Sequence, residues 1–258
     1  MKNMPIKYTE LSEIQKTELS MNGKIELIGE FRDDSKTQAS HHNAHWSYEY
    51  VNQFVKRYSN KSKKEDRSPR EFAPPYGERS LIEIRNEITG MNIKNKQVAV
   101  IGSHTPWIEA IMIDLGNQVT TIEYNIKSCD HPKLNVLTYD DFLNSDIKFD
   151  IIISYSSIEH SGLGRYGDKF EPNADIETMN NLHTSLKTNG RILLAVPVDV
   201  SGSDRIVFNL HRVYGKLRLP KLLDKFKITN YDSYDSIFAS SGKFAFHQPL
   251  IVLQKKDY

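Results

Sequence analysis

The chain has little of several features that commonly reveal the class of a protein. Its single cysteine, Cys129, excludes an internal disulfide and a thiolate metal cluster. The net charge of +1 at pH 7 gives no electrostatic reason to expect nucleic acid or an acidic membrane as a partner. No run reaches the roughly 20 apolar residues that span a bilayer. Met1–Lys7 lacks the apolar run of a secretory signal, so we expect a cytoplasmic protein.

The composition is that of an ordinary globular protein. With 258 residues, 38% of them hydrophobic and 26% charged, the chain can bury a full core. The leading part is polar with helical spacing, whereas the rest alternates short apolar runs with helical ones. We therefore expect a mainly helical extension or lid over residues 1–95 and an α/β domain over residues 96–258.

Three stretches of the leading part have helical patterns. Thr9, followed by acidic and apolar residues, indicates a capped helix start. His45–Val55 predicts an amphipathic helix, and Ser80–Glu87 predicts another. The basic stretch Lys56–Arg70 could bind an anion, but a solvated helix end running into a loop is the simpler interpretation.

The second part predicts a doubly wound, mostly parallel sheet built from β-α units. Its predicted strands are Val98–Ile101, Gln118–Glu123, Asn135–Leu137, Phe149–Ser154 and Arg191–Val196. Trp107–Leu115 predicts a helix that Gly116 ends, and Asp175–Leu186 predicts the helix before the fifth strand. Ser236–Lys255 has a strand-like pattern.

The first predicted strand runs into a turn with one glycine, Gly102. Such a turn can aim backbone N–H groups and a helix amino terminus at a ligand. Glu123 follows 21 residues later, near the spacing of roughly 20 at which an acidic side chain binds a ribose; a surface acid is the alternative. Asp141 is placed to contact adenine. Because the turn is not G-x-G-x-x-G, the pattern disfavours NAD or FAD more than S-adenosylmethionine.

The densest polar and glycine-rich stretch, Ser156–Asp168, follows the fourth predicted strand. Open α/β sheets bind ligands at the carboxyl ends of their strands, and glycine allows close approach of backbone to a ligand. Within the stretch, His160 has an ordinary pKa of roughly 6.5, which suits proton transfer near neutrality. Glu159 could orient His160 or take the proton itself. The pair could also do no more than fix the loop.

Two arginines suggest an anionic ligand. The planar guanidinium groups of Arg165 and Arg212 can each bind a carboxylate or phosphate through two bonds. The alternative is that Arg165 pairs with Asp168 or Asp175 and only holds the loop.

A divalent ion is a further alternative, because oxygen and imidazole ligands are available. These ligands would be Glu159, His160, Asp168, Asp175 and His211. They have no short ligand spacing such as H-E-x-x-H, and we assign no metal ligand. His41 and His45 could share one face of a helix with His42 nearby, although a capping or surface role is the simpler interpretation.

Together these motifs resemble the class I methyltransferase-like families, and in particular the family catalogued as domain of unknown function 268. The resemblance covers about residues 97–255. Its motifs are Val100–Ser103 with Pro106–Trp107, Thr121–Asn125, Ser156–Asp168, Leu186–Gly190 continuing to Val198, and Phe208–Gly215. It implies a Rossmann-like, doubly wound domain of seven strands and the S-adenosylmethionine-dependent type.

Two positions depart from the pattern of that class. Val100 stands where an acidic residue commonly meets the methionine ammonium, and His104 stands where a second glycine is usual. These departures favour a methyltransferase-shaped binding protein without catalysis as the second interpretation. A metal-dependent transferase or hydrolase using the same crevice is the third.

Our first interpretation is a methyltransferase acting on a small polar acceptor, for example an anionic sugar or a glycan precursor. The predicted cofactor residues are Gly102, Ser103, Glu123, Tyr124, Asp141 and Ser156. The predicted catalytic residues are Glu159, His160 and His211. The predicted substrate residues are Arg165, Tyr166, Asp168, Asn209 and Arg212.

Overall fold

The computed structural model describes residues 5–35, 44–59, 75–125, 127–240 and 248–256. Contacts divide the chain into two compact units. Unit 1 consists of Met1–Ala39 and Ser154–Tyr258, and unit 2 of Ser40–Ile153. These units differ from the predicted division at residue 95, which stays a prediction. Within the described residues, no helix is both long and apolar enough to cross a membrane.

The described helices and strands alternate through most of the chain. The helices are α1 (Glu13–Leu19), α2 (Tyr48–Tyr58), α3 (Gly77–Gly90), α4 (Trp107–Asp114), α5 (Tyr139–Leu143), α6 (Ala174–Ser185), α7 (Leu219–Leu222) and α8 (Tyr234–Ser240). The strands are β1 (Glu26–Gly29), β2 (His45–Trp46), β3 (Gln97–Ile101), β4 (Gln118–Glu123), β5 (Ser128–Cys129), β6 (Leu134–Thr138), β7 (Phe149–Tyr155), β8 (Leu186–Ala195), β9 (Arg205–Phe208), β10 (His211–Val213), β11 (Phe226–Ile228) and β12 (Leu250–Lys255).

A seven-stranded sheet has the order β11-β12-β8-β7-β3-β4-β6. Strands β3, β4 and β6 pair in parallel, with Val98 opposite Val119 and Val119 opposite Leu134. Strand β12 pairs antiparallel with both β8 and β11. The apolar runs that predicted β3, β4, β6, β7 and β8 are therefore confirmed as strands. The side chains of β3, β4, β7 and β8 form most of the buried core of the sheet, whereas in the edge strand β6 only Leu134 is buried.

Helix α4 confirms the prediction for Trp107–Leu115 to within one residue. It is buried over nearly its whole length, which explains the apolar character of its sequence. Gly116 follows with φ +86°, a left-handed conformation that a glycine adopts readily at a helix end. The predicted helix over Asp175–Leu186 corresponds to α6, and Ser80–Glu87 lies within α3.

The prediction of a helix starting at Thr9 is wrong in its start. The α1 helix is capped by Ser12, whose hydroxyl accepts from the Gln15 N–H while the Gln15 side chain accepts from the Ser12 N–H. This reciprocal pair satisfies two amide groups at the helix end, which the earlier Thr9 does not. Thr9 lies in a short 3-10 turn, Tyr8–Glu10.

The predicted helix over His45–Val55 begins later in the structure. Ser47 caps α2, so His45 and Trp46 instead form β2 and pair in parallel with β5. A shared helical face of His41 and His45 is therefore wrong for His45, whereas His41 and His42 lie outside the described residues.

The strand-like prediction for Ser236–Lys255 is only partly confirmed. Residues up to Ser240 belong to α8, where Ile237 and Phe238 are buried, and Leu250–Lys255 forms β12. The segment over residues 1–95, expected to be mainly helical, also contains a strand, since β1 pairs in parallel with β9. Apolar residues of the amino-terminal segment complete a small core in unit 1, formed by Leu11, Leu19, Ile25, Leu163, Ile206 and Phe208.

Candidate functional site

The predicted site residues fall into two groups, one in each unit. Unit 2 contains Gly102, Ser103, Glu123, Tyr124 and Asp141. Unit 1 contains Ser156, Glu159, His160, Arg165, Tyr166, Asp168, Asn209, His211 and Arg212.

In unit 2, β3 ends in a sharp turn at Gly102. Gly102 has φ +67°, which side chains rarely adopt, and its N–H donates to the Ile122 carbonyl at 3.0 Å. The next N–H, of Ser103, donates to Glu123 Oε1. The Ser103 hydroxyl donates to the Thr105 carbonyl at 2.9 Å. The structure thus brings Gly102, Ser103 and Glu123 together, and the ribose binding by Glu123 that their spacing suggested stays a prediction.

Glu123 has a partner that the sequence analysis missed. Lys127 Nζ lies 3.8 Å from Glu123 Oε1, donates to the Ser103 carbonyl, and lies 4.0 Å from the centre of the Trp46 ring. Burial raises the pKa of Glu123 and lowers that of Lys127, and each charge partly offsets the effect on the other. In the sequence, the only indication of this pair is that Lys127 follows Glu123, the last residue of β4, by four residues.

A second buried carboxyl group lies in α4 of the same unit. Glu109 is fully buried, and its Oε1 accepts from Thr121 Oγ1 at 2.8 Å. Burial raises its pKa, and Oε2 has no hydrogen-bond partner among the described residues. The sequence analysis assigned Trp107–Leu115 to a helix and did not single out Glu109 as a site residue.

Tyr124 and Asp141 are more exposed than the other residues predicted to hold the cofactor. The Tyr124 ring is 42% exposed and lies 5.0 Å from the Tyr139 ring. Asp141 accepts from the Thr138 hydroxyl at 2.6 Å and donates its N–H to the same oxygen at 3.1 Å. In the structure Thr138 therefore caps α5 through the Asp141 N–H, and contact of Asp141 with adenine stays a prediction.

In unit 1, Glu159 lies in a 3-10 turn, Ile158–His160, shortly after β7. Its side chain is 1% exposed, and Oε1 accepts from the Ser156 hydroxyl at 2.7 Å. Burial raises the pKa of Glu159 to about 7, against the opposing effects of Ser156 and of Arg165 and Arg212. Glu159 is thus a buried carboxyl group that can exchange a proton near neutrality.

His160 is held in one tautomer. Its Nδ1 lies 2.5 Å from the Leu210 carbonyl, which can only accept, so Nδ1 carries the hydrogen. The other nitrogen, Nε2, lies 3.7 Å from Glu159 Oε1. Burial lowers the pKa of His160 to about 3, so the imidazole is neutral at pH 7. The rings of Tyr166 and His211 lie 5.5 and 6.3 Å from the His160 ring.

We call residues 161–168 the glycine loop. Asp168 closes it by accepting from the Gly164 N–H at 3.2 Å and the Tyr166 N–H at 3.3 Å. Gly162, with φ +72°, is the tightest position, because a Cβ there would lie 2.2 Å from the Glu171 carbonyl oxygen. Burial raises the pKa of Asp168 and lowers that of His211.

Arg165 is paired, but with neither partner that the sequence suggested. Its Nε lies 2.8 Å from Asp34 Oδ2, and its NH1 lies 3.5 Å from the Leu210 carbonyl oxygen. Asp34 also binds Arg32, at 2.9 Å. Pairing with Asp168 or Asp175 is therefore wrong, because the carboxylate that binds this arginine is that of Asp34.

Arg212 is fully buried and its guanidinium bonds to protein atoms. NH1 donates to the Ser161 carbonyl at 2.6 Å, NH2 donates to the Pro172 carbonyl at 3.1 Å, and Nε lies 3.6 Å from Asp175 Oδ2. These bonds hold the backbone on both sides of the glycine loop. Contact of Arg212 with a substrate stays a prediction.

Asp175 is the centre of this buried network. It accepts from Arg218 at 2.6 and 2.9 Å and from the Tyr214 hydroxyl at 3.0 Å. Asn209 is also fully buried, and its amide group exchanges two hydrogen bonds with the Arg32 backbone, at 2.8 and 3.0 Å. Both residues fix the surroundings of the glycine loop, and the predicted contact of Asn209 with substrate is untested.

Among the described residues, no group of three or more His, Cys, Asp or Glu side chains is placed to hold a metal ion. Asp175 and Asp168, two of the ligands considered above, are instead bonded to arginines and to backbone N–H groups respectively.

The chain has a low similarity to several solved structures, among them three methyltransferases. The 1,6-didemethyltoxoflavin-N1-methyltransferase of Burkholderia thailandensis, with 1,6-didemethyltoxoflavin and S-adenosylhomocysteine bound, has 15% identity and a TM-score of 0.48 over 66% of this chain and 75% of that one. The N-methyltransferase NodS of Bradyrhizobium japonicum, with S-adenosylhomocysteine, has 12% identity and a TM-score of 0.45 over 81% and 98%. The glycopeptide N-methyltransferase MtfA, with S-adenosylhomocysteine, has 13% identity and a TM-score of 0.46 over 67% and 89%.

A search of curated proteins found no match. A family model described as Caenorhabditis protein of unknown function, DUF268, matches residues 95–245, more than half of the chain. The matched range begins just before β3 and includes the Gly102 turn, Glu159 and the glycine loop. The α/β fold with its mostly parallel central sheet is the one that the resemblance to this family implied. The chain belongs to the DUF268 family.

Proposed function

We propose that the protein is an S-adenosylmethionine-dependent methyltransferase acting on a small polar acceptor. The observation that carries the proposal is the pair formed by Glu159 and His160, a buried carboxyl group with one unpartnered oxygen beside a neutral imidazole. Buried groups with strongly shifted pKa values occur preferentially at functional sites.

The residues of unit 2 fit the cofactor. Gly102 forms a sharp turn without a Cβ, and Glu123 ends the next strand with its carboxylate bonded to the turn. We propose that Glu123 accepts hydrogen bonds from the ribose hydroxyls and that the turn at Ser103 contacts the methionine part. When bound, S-adenosylmethionine supplies an activated methyl group.

Glu159 suits the role of base better than His160. A general base works best when its pKa lies near the working pH, and the pKa of Glu159 is about 7 whereas that of His160 is about 3. We propose that Glu159 takes the proton of the acceptor and that His160, fixed by the Leu210 carbonyl, presents Nε2 as a further acceptor of a hydrogen bond.

The acceptor proposed here is a sugar or glycan precursor. The Tyr166 ring flanks His160, and aromatic rings pack well against the apolar faces of sugars. Arg165 lies against Tyr166, with its guanidinium carbon 5.0 Å from the ring centre, and helps to hold that ring in place.

Calorimetric titration with S-adenosylhomocysteine tests the cofactor. We expect binding to the native protein and at least tenfold weaker binding to Glu123→Gln, with Glu26→Gln as the control because Glu26 is exposed on β1. No heat at millimolar ligand would overturn the proposal. Transfer of a tritiated methyl group to deproteinised cell extract tests catalysis, and it should be lost in Glu159→Gln but kept in Glu177→Gln.

A binding protein without catalysis is the second candidate. The observation that favours it is Lys127, which already bonds to the Ser103 carbonyl and lies beside Glu123. This candidate predicts that S-adenosylhomocysteine binds without any transfer of label. The tritium experiment therefore separates the two functions.

A further inference from the structure

Three buried oxygens near the end of β7 have no hydrogen-bond partner among the described residues. They are Glu159 Oε2, Gln248 Oε1 and Ser154 Oγ. Ser154 and Glu159 are 0% and 1% exposed, so these atoms are well away from bulk solvent. Buried polar atoms are normally paired, so unpaired ones call for a missing partner.

Two of these oxygens belong to one hydrogen-bonded chain. The Ser156 hydroxyl donates to Glu159 Oε1 at 2.7 Å, and Gln248 Nε2 donates to the Ser156 hydroxyl at 2.9 Å. A carboxylate oxygen only accepts, so the Ser156 proton is committed to Glu159 and the hydroxyl must accept from Gln248. This fixes the orientation of the Gln248 amide. The Glu159 carboxyl group and the Gln248 amide group both bond to the Ser156 hydroxyl, and each has an oxygen without a partner in the described part of the chain.

The unpartnered atoms of this chain are acceptors. Oε2 of the ionised Glu159 carboxylate and Gln248 Oε1 cannot donate, and neither can Nε2 of the neutral His160, which lies 3.7 Å from Glu159 Oε1. A hydroxyl group brings a single donor hydrogen, whereas a primary amine brings two and its ammonium form three. The set therefore matches a nitrogen group better than an alcohol.

We propose that the group methylated by this protein is a primary amine, bound through its N–H groups by Glu159 Oε2 and Gln248 Oε1. The inference rests on the proposed function and names the class of its acceptor. An amino sugar would satisfy both this inference and the proposed sugar acceptor.

The arginines around Glu159 keep part of their positive charge. Arg165 and Arg212 both act on this carboxyl group, but Arg165 shares Asp34 with Arg32, and Arg212 shares Asp175 with Arg218. The remaining positive charge favours the loss of a proton from a bound ammonium group.

The transfer balances with the groups named. An ammonium acceptor first gives one proton to the Glu159 carboxylate and becomes a neutral amine. The nitrogen lone pair then forms the N–CH3 bond as the S–CH3 bond breaks, and sulfur keeps the electron pair of that bond. The methylated amine leaves as a cation, and the proton on Glu159 returns to solvent.

Nuclear magnetic resonance of protein carrying 13C-labelled glutamate carboxyl groups tests the inference. The Glu159 signal is assigned by its loss in Glu159→Gln. Methylammonium should lower the midpoint of the Glu159 titration and reduce its proton affinity at least threefold. Methanol and tetramethylammonium, which lacks N–H groups, should leave it unchanged. The comparison uses the native protein and does not depend on how a variant folds.

An equal shift with tetramethylammonium, or no shift with methylammonium, would overturn the inference and leave only water as the partner of these oxygens. Gln248→Leu should weaken the methylammonium effect. Calorimetry with S-adenosylhomocysteine is run separately on the same protein. Binding of that ligand together with a negative methylammonium result rejects the amine and keeps the methyltransferase, whereas absence of binding rejects the methyltransferase itself.

Discussion

The carboxylate of Asp34 lies 2.8 Å from the Nε of Arg165, so a residue of the amino-terminal segment holds the arginine of the glycine loop. The Arg165 and Asp34 side chains are 12% and 13% exposed. The Asp34 N–H also donates to the Arg165 carbonyl at 2.9 Å, which ties the two segments through backbone as well. The segment thereby contributes directly to the surroundings of Glu159 and His160.

A double-mutant cycle measures this pair. Asp34→Asn and Arg165→Gln should each lower the free energy of unfolding, with a coupling energy of about 1–2 kcal/mol, because partly buried charged hydrogen bonds are stronger than exposed ones. Urea unfolding gives the values. The exposed pair Lys216 and Asp235 is the control, and its coupling should stay below about 0.5 kcal/mol. Equal coupling in both pairs would contradict a special stabilising role of the Asp34–Arg165 pair.

Asp175→Asn should be among the most destabilising single substitutions in the chain. It leaves the buried guanidinium groups of Arg212 and Arg218 without their carboxylate, at a cost of about 3–5 kcal/mol. Tyr214→Phe removes one bond to the same carboxylate but leaves no charge unpaired, so we expect about 1 kcal/mol. Similar losses in the two variants, measured by thermal and urea unfolding, would show that the ion pairs are not what stabilises this network.

Gly162→Ala and Gly164→Ala separate backbone strain from a steric clash. Both glycines have left-handed φ angles, +72° and +80°, so both substitutions should cost about 1 kcal/mol of strain. Only at Gly162 would the new Cβ also meet the Glu171 carbonyl, at 2.2 Å. We therefore expect Gly162→Ala to lower the melting temperature several degrees more than Gly164→Ala does. The reverse order would contradict the close packing of the loop against residue 171.

The free energy of unfolding of Glu159→Gln, relative to that of the native protein, should increase as the pH rises. The folded-state pKa of about 7 lies above the ordinary value of 4.5, so the native carboxyl group stabilises the fold below pH 4.5 and this contribution is lost as the pH rises to 7. Glutamine mimics the protonated form and does not titrate. Relative to the native protein, the variant should gain on the order of 3 kcal/mol between pH 4.5 and 8.

The difference between the two proteins is the quantity to measure, by urea unfolding at each pH. His160 has the opposite dependence, because its folded-state pKa of about 3 lies below 6.5 and its contribution to stability is lost as the pH falls. The two effects oppose each other in the native protein, but the His160 contribution is common to both proteins and drops out of the difference, which leaves that of Glu159. Glu177→Gln, on the exposed surface of α6, is the control. A gain that does not depend on pH would contradict a buried, titrating Glu159.

The central strands and α4 could be predicted from local pattern, because a buried strand or helix must carry apolar residues at a spacing that matches its geometry. The link between Gly102 and Glu123 followed in the same way, from a turn and a strand end about 20 residues apart. Short elements at the amino terminus could not be predicted so well. Ser12 and Ser47 decide where α1 and α2 begin through hydrogen bonds that Thr9 and His45 do not make.

Local pattern thus sufficed for the α/β architecture and for locating polar groups at the ends of β3, β4 and β7. It did not reveal how those groups are paired. Asp34 and Arg165 are 131 residues apart, and Gln248 and Ser156 are 92 apart. A charged or polar side chain has the same local sequence whether it faces solvent, a ligand or a distant partner. Only the folded chain decides which, because removing these groups from water makes each one bond to whatever the fold brings within reach.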